Sequence, residues 1–444
     1  MRINLTDNND KQTFQRKDVA ALFPIADKTI AQLCQDNENL LIFPFSIESS
    51  DDRIGNSSVM SILNTNDPDI VNISTNNVMG FIGVENLQVK IKSRFDVGRD
   101  DFLLHYMLQK VLSFNLFDLS HNNDHEDVFD FIMFMFPYFL KSALRQGVYR
   151  EYQNYKHNDA NIKGTIDIGR HISRNVPFVG NIAYSTREYS HDNTMTELIR
   201  HTIEFMKTKK YGQSVLNIDK ETVENVKTIV EHTPMYNKSE RSSIISKNLR
   251  MKTHPYYTDY RSLQTLCIQI LRMEEVKYGE SDDEICGILF DGAWLWEEYV
   301  NTILRNLGFK HPQNKLGKGG IYLFGDRTGI RYPDFYNDEM VLDAKYKRLG
   351  GYDMVSKMDP SDVHQVITYM TTLKVYKGGF VAPLTQTQTE VPSSPLFGLA
   401  NATLSIFGIE ISKTASSYAD FCEQMKEMET TFIESLGKTM PRII

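Results

Sequence analysis

Residues 331–346, RYPDFYNDEMVLDAKY, constrain the fold more than any other stretch of the chain. An aromatic run, the turn-forming pair Asn337-Asp338 and the apolar run Met340-Val341-Leu342 together predict a β-hairpin. With 337 and 338 as the loop, Tyr336 pairs with Glu339 and Asp334 with Val341. Side chains alternate along a strand, so Asp334, Val341, Asp343 and Lys345 share one face. Asp334 and Asp343 are then diagonal neighbours, roughly 7–8 Å apart at the backbone. Two carboxylates at that separation can grip one hard cation, with an ammonium beside it.

The flanking segments add acids and amides at helical spacing. DGAWLWEEYVNTILRNLGF (291–309) predicts an amphipathic helix with Trp296, Tyr299, Val300, Ile303, Leu304 and Leu307 inward and Gly308 at its end. Glu297 lies beside that apolar stripe, within reach of the sheet rim. PSDVHQVITYMTTLKVY (360–376) predicts a second helix, on which Asp362, Gln365 and Tyr369 share a face beside Val363, Val366, Ile367 and Met370. Strands follow at 378–384 and 403–412 and a closing helix at 417–436, an order that implies a mixed sheet flanked by helices, an α/β domain over residues 281–444. Such a site suits magnesium-assisted phosphodiester hydrolysis, because Mg²⁺ prefers oxygen ligands and acidifies a bound water. Lys345 would position or help deprotonate that water and offset charge on the reacting phosphate. An Asp and a Lys two apart on a strand are usually a solvated face. Asp334 is harder to read that way, since Tyr332, Pro333 and Phe335 surround it.

The rest of the chain divides by period. Residues 1–96 read as a mixed or β-rich domain, with 18–23 and 28–34 as a short helical pair rather than a DNA-reading helix-turn-helix, and two strands around Glu85-Asn86. Residues 97–280 read as mainly helical, with helices at 99–112, at 126–152 broken near Pro137, and at 193–210 with a capping box from Asn193 or Thr194 to Glu197. Lys238, Arg241, Lys247, Arg250, Lys252, Arg261 and Arg272 lie among tyrosines and could face DNA phosphates or simply water. His121 and His125 have zinc-like spacing without further ligands, and LGKGGIY (316–322) lacks the spacing of a phosphate-binding loop. Neither a metal finger nor nucleotide hydrolysis is expected.

The 444 residues are enough for several domains, and 41% hydrophobic with 24% charged residues is ordinary for a globular protein. A net charge of -8 argues against coating nucleic acid by bulk attraction but leaves room for a local basic groove. Four cysteines without metal or disulfide spacing, no signal peptide and no membrane span lead us to expect the cytoplasm.

Pro333-Asp334, eight residues, then Asp343-Ala344-Lys345 matches the PD-(D/E)xK nuclease signature, with a helical Glu297 before it and Gln365 after. LWEEYV (295–300), DAKYK (343–347) and DVHQVITYM (362–370) resemble the McrC family, the nuclease subunit of McrBC-type and LlaJI-type restriction systems. VMGFIGVENLQVKIKSRF, GVYREYQNYKHNDANIKGTIDIGRHI and YSTREYSHDNTMTELI resemble its earlier segments, so the likeness runs in patches over residues 77–412. The resemblance implies Asp334 and Asp343 as metal ligands with Glu297 as an accessory acid. It makes Lys345 the catalytic lysine and Gln365 a supporting residue. It also implies Mg²⁺ as cofactor, double-stranded DNA as substrate, and a McrB-like AAA+ GTPase hexamer as partner, which binds the GTP and docks on the N-terminal domain. One feature departs from the family: Lys92-Ser93-Arg94 stands where a Pro-Lys pair is usual. A non-catalytic scaffold and a stand-alone nuclease are the alternative readings.

Overall fold

The computed structural model describes residues 2–9, 11–37, 40–44, 55–84, 87–96, 101–112, 126–209, 212–250, 254–277, 285–312, 319–349, 355–386, 388 and 390–439. It divides into two compact units, residues 1–121 with 282–444, and residues 122–281. The histidine pair 121/125 and the start of the 316–322 loop lie outside the described residues. Among the described residues no helix is long and apolar enough to cross a membrane.

The first unit begins with β1 (Arg2–Thr6), β2 (Gln12–Gln15), α1 (Ile30–Asp36), β3 (Leu40–Phe43), β4 (Met60–Asn64), β5 (Ile70–Thr75), β6 (Val78–Val84), β7 (Leu87–Lys92) and α2 (Phe102–Leu112). Strands β2, β5 and β4 form a small antiparallel sheet. β7 alternates buried and half-buried residues, and Val89 and Ile91 join Ile3 and Leu5 of β1 in one core. The first member of the expected helical pair is a 3₁₀ segment, Arg16–Leu22. The second is α1, capped by Thr29 and Gln32 in a reciprocal box.

The second unit holds α3 (Glu126–Arg145), β8 (Glu151–Asp159), β9 (Thr165–Ile166), α4 (Ile168–Asn175), β10 (Ile182–Ser190), α5 (Thr194–Met206), α6 (Gly212–Leu216), α7 (Lys220–His232), α8 (Arg241–Asn248) and α9 (Tyr260–Lys277). It is less helical than its sequence suggests, because β8, β10 and β9 form a three-stranded antiparallel sheet. α3 runs through Pro137 instead of breaking there. Phe136, Phe139 and Leu140 are buried around it, and packing of that face holds the helix across the missing N–H. At α5 the capping box forms between Asn193 and Thr196, not Glu197: Asn193 Oδ1 accepts from Thr196 N at 3.2 Å, and Thr196 Oγ1 accepts from Asn193 N at 3.1 Å. Thr196 occupies the third helical position and Glu197 is one residue too late. In the basic stretch, Arg241 lies over the Phe205 ring at 5.1 Å while Lys247 and Arg250 are exposed.

The chain re-enters the first unit with β11 (Ile285–Asp291), α10 (Gly292–Leu304), β12 (Ile321–Tyr322), β13 (Ile330–Arg331), β14 (Phe335–Tyr336), β15 (Met340–Ala344), α11 (Pro360–Leu373), β16 (Lys377–Leu384), β17 (Ser393–Pro395), β18 (Thr403–Glu410) and α12 (Tyr418–Thr439). β11 does not belong to a separate C-terminal domain. It inserts between β6 and β3 to complete a five-stranded sheet, β1-β7-β6-β11-β3. Helix α2 also lies with this unit rather than with the middle segment. The Tyr106 hydroxyl of α2 and the Tyr299 hydroxyl of α10 donate to Glu429 of α12 at 2.8 and 2.9 Å, and Lys110 reaches the same carboxylate at 2.7 Å. The expected division at residues 97 and 281 therefore differs from the compact units, because long-range strand and helix pairing crosses both positions.

The second five-stranded sheet, β14-β15-β16-β18-β17, is mixed: β15, β16 and β18 are parallel and both edge strands antiparallel. Val341, Phe380, Leu404 and Ile406 meet Val366, Tyr369 and Met370 of α11 in one apolar layer. Trp296 of α10 is fully buried and donates to the Val381 carbonyl at 3.1 Å. Helices thus clamp β15 and β16, and the sheet rim carries the polar residues considered next.

Candidate active site

The hairpin forms, but two residues out of the expected register. Phe335 pairs with Leu342 and Tyr336 with Val341. Asn337 sets this turn: its Oδ1 accepts from Glu339 N and Met340 N at 2.9 and 2.8 Å, and its N–H donates to the Met340 carbonyl at 3.0 Å. The central pair is thus Asp338-Glu339. A slip of two residues leaves every side chain on its expected face. Continued by one residue, the register sets Asp334 directly across from Asp343, closer than the diagonal placement. The ladder stops at Phe335, and the Asp334 carboxylate itself takes the next donor, Ala344 N, at 2.7 Å.

Val341 is packed against α11, so Asp343 and Lys345 project toward that helix. Asp343 is 2% exposed, with the Lys345 ammonium 2.7 Å from its Oδ2. Lys345 also lies 3.1 Å from Asp362, whose other oxygen meets Lys347 at 2.8 Å. Burial would lower the Lys345 ammonium, but the Asp343 and Asp362 carboxylates outweigh it and hold the lysine above its usual value. At Asp362 the two lysines outweigh burial and keep its carboxyl low.

The other acids go the opposite way. Burial, then the charges of Asp343 and Glu297, push Asp334 well above the ordinary carboxylate range, against the Ala344 N–H and Lys345. Burial also raises Asp343, opposed by Lys345. Glu297 is pushed up to about 7, first by burial and then by Glu298, Asp343 and Asp291, against the pull of His311. It rides on α10, whose start is capped by Asp291 Oδ1 on Ala293 N at 3.0 Å.

His311 carries no sequence signal and belongs to the same cluster. Lys310 bridges to Tyr336 by two backbone hydrogen bonds of 2.7 and 3.0 Å, which brings the next residue alongside the hairpin. The imidazole stacks on Phe335, donates from Nδ1 to the Asp334 carbonyl at 2.8 Å, and lies 3.9 Å from Glu297 and 3.6 Å from Glu298. Burial lowers its proton affinity, but Glu298, the Asp334 carbonyl and Glu297 more than reverse that. Gln365 stands one step away from the acids. It is exposed and donates to the Tyr369 hydroxyl at 2.9 Å; the Tyr369 phenol, raised by burial, also feels Asp334 and Asp343.

Asp334, Asp343, Lys345 and Glu297 therefore share one electrostatic neighbourhood. Among the described residues no three His, Cys, Asp or Glu side chains converge into a complete metal cage. The donor set nevertheless fits a hard cation that keeps most of its waters. It is all oxygen, and among the described residues buried Asp343 Oδ2 has the Lys345 ammonium beside it and no other partner. The raised carboxyls point the same way, because a bound cation would relieve the repulsion that raises them.

The sequence matches the family model for the McrBC 5-methylcytosine restriction system component over residues 73–383. None of the curated proteins matches it. A chain from the refined half-complex of the tetradecameric assembly of Thermococcus gammatolerans McrB AAA+ hexamers with bound McrC has a similar fold. It aligns over 99% of this chain and 100% of its own, at 15% identity and a TM-score of 0.50. A chain of the cryo-EM structure of the Thermococcus gammatolerans McrBC complex aligns over 99% and 100%, at 12% identity and a TM-score of 0.41.

Proposed function

We propose that this chain, which belongs to the family of McrBC 5-methylcytosine restriction system components, is the DNA-cutting subunit of a GTP-driven restriction complex. In this reading the segment from α10 to α12, residues 292–439, forms a PD-(D/E)xK nuclease that hydrolyses phosphodiester bonds in double-stranded DNA. The observation that carries the reading is the half-buried Asp334, raised by the charge of the buried Asp343, with Lys345 in contact with Asp343.

Asp334, Asp343 and the nearby Glu297 would hold Mg²⁺, which when bound supplies an acidified water and charge stabilisation at the phosphate. The protein's own groups do the positioning. Asp343 and Asp362 keep Lys345 protonated and fixed between them. A protonated lysine there orients the attacking water and offsets charge on the phosphorane-like state, while a neutral one would be needed to take a proton. His311 anchors the Asp334 main chain and sits beside Glu297, so it sets the spacing between hairpin and helix. Gln365 acts through Tyr369.

The similar solved assembly is described as McrB AAA+ hexamers with bound McrC. For this chain the matching proposal is a McrB-like AAA+ GTPase hexamer that binds the GTP, with the N-terminal segment as its docking and stimulating surface. The test is cleavage of defined methylated and unmethylated duplexes with Mg²⁺ and GTP, with and without a McrB-like AAA+ GTPase. Cutting that needs GTP and both proteins supports the reading. Efficient cutting by the chain alone would make it a stand-alone nuclease, and GTPase stimulation without any cutting would make it a scaffold.

A further inference from the structure

The turn after β1 and the segment that follows β15 border a cavity of about 480 Å³. Residues 6–9 line it together with Arg94, Lys347 and Arg348. Three cations thus border it, with Asp7 the one carboxylate among its lining residues. Asp7 is fully buried and already engaged: Arg94 lies 3.1 Å from its Oδ2, and the Arg94 N–H donates to its Oδ1. Arg94 is a fixed wall, since its guanidinium also lies 4.5 Å from the Tyr346 ring centroid and donates to the Tyr346 carbonyl. Arg348 uses one donor on the Arg94 carbonyl, at 3.1 Å, and its exposed guanidinium has others to offer. The Lys347 side chain is 53% exposed.

One lining residue of the cavity, Lys347, is tied to the candidate active site through Asp362. Lys345 and Lys347 share the Asp362 carboxylate, at 3.1 and 2.8 Å. Lys347 and Arg348 are thus the next cations along the chain for a polyanion that contacts Lys345. The volume falls in the range of small-ligand sites, which suits a sugar-phosphate unit better than a bare ion.

We propose that this cavity is a second phosphodiester subsite, which holds the DNA backbone beside the phosphate being cut, with Arg348 and Lys347 as its contacts. It rests on the endonuclease reading above. Its chemistry is that of a phosphate, and free phosphate is the competing source.

The test measures binding of the full-length chain to a defined duplex in Mg²⁺-free buffer across a salt series. Arg348→Ala should weaken binding several-fold and lower the slope of log affinity against log salt by about one, as expected for one lost phosphate contact. Arg348→Lys should restore the slope. Asn9→Lys, which adds a cation to the cavity lining, should raise it by about one and does not depend on Arg348→Ala folding. Inorganic phosphate, followed by thermal midpoint, is the second arm. Slopes unchanged in both Arg348→Ala and Asn9→Lys overturn the subsite. Phosphate stabilisation that Arg348→Ala removes, with an unchanged DNA slope, overturns it in favour of a free-phosphate site. Cutting by the wild-type complex with unchanged slopes sinks the subsite alone. Arg348-dependent slopes without cutting under any condition sink the endonuclease reading and leave a DNA-binding site.

Discussion

Asp7 and Asp343 are both buried aspartates with a cation in contact, and both are raised by burial. Their surroundings differ in sign. Around Asp7 the charged neighbours are Arg94 and Arg348, both of which favour its ionised form. Around Asp343 the acids gather: Asp362 raises it further, Asp343 in turn raises Asp334 and Glu297, and Lys345 is shared with Asp362. The first is a single carboxylate among cations that ties the end of β1 to the segment after β7. The second concentrates negative charge that the fold alone has no need of, since burying like charges costs stability. Excess charge of one sign, more than burial or an ion pair as such, distinguishes a chemical site from a structural one.

That contrast can be broken most sharply at Asp343. Asp343→Asn should lower cleavage by on the order of 10³-fold or more while leaving the thermal midpoint unchanged or higher, because it removes repulsion. Retained cutting in a plasmid-linearisation assay would remove Asp343 from the site. Stimulation of partner GTP hydrolysis should survive that substitution. Lys345→Ala should cost on the order of 10²-fold in rate, and here stability should fall, since Asp343 and Asp362 lose their shared cation. A stable, fully active Lys345→Ala chain would contradict both roles.

Asp7 supplies the structural side of the comparison. Its carboxyl is pushed up from 3.8 to about 6, mainly by burial and against Arg94. A raised acid holds its proton longer when folded, so its contribution is full below the unfolded value and lost as pH rises through about 6. Asp7→Asn should abolish that dependence. The wild-type-minus-variant difference in unfolding free energy should then change by about 3 kcal/mol between pH 3.5 and 7. Cutting should be affected far less than by Asp343→Asn. A difference independent of pH in denaturant titrations would mean that Arg94 fully compensates the burial.

The legible parts of this molecule are those whose pattern is local. α10, α11 and α12 start within a residue of where the periodicity puts them, and β15 and β16 follow their apolar runs. Asp343 and Lys345 land on the expected face because alternation survives a two-residue slip. The slip itself was hidden, since Asn337 and Asp338 are both turn formers and only the Asn337 side-chain bonds decide between turns. β11, ICGILFD, has nothing local to mark its partners, β6 and β3, which lie more than 200 positions upstream. β8, EYQNYKHND, has half-buried and exposed residues but no fully buried face, so no apolar alternation marks it. His311 is placed by a bridge between two backbone segments, a contact with no residue signature.

Glu297 gives the smallest and most discriminating effect. At about 7 its carboxyl carries a proton through much of the acidic range, and a cation must displace that proton to use the oxygen. At limiting Mg²⁺ the cleavage rate should therefore climb roughly fivefold between pH 6 and 7 and up to about twofold more by pH 8, as the deprotonated fraction rises. Saturating Mg²⁺ should flatten the climb, because the metal then wins the competition at lower pH. Glu297→Gln cannot titrate, so its profile should lose that limb at both metal concentrations and run below wild type at pH 8. A wild-type profile that is flat from pH 6 to 8 at limiting Mg²⁺ would detach Glu297 from the acid pair. Its raised carboxyl would then be of the same kind as that of Asp7, a consequence of burial without a chemical role.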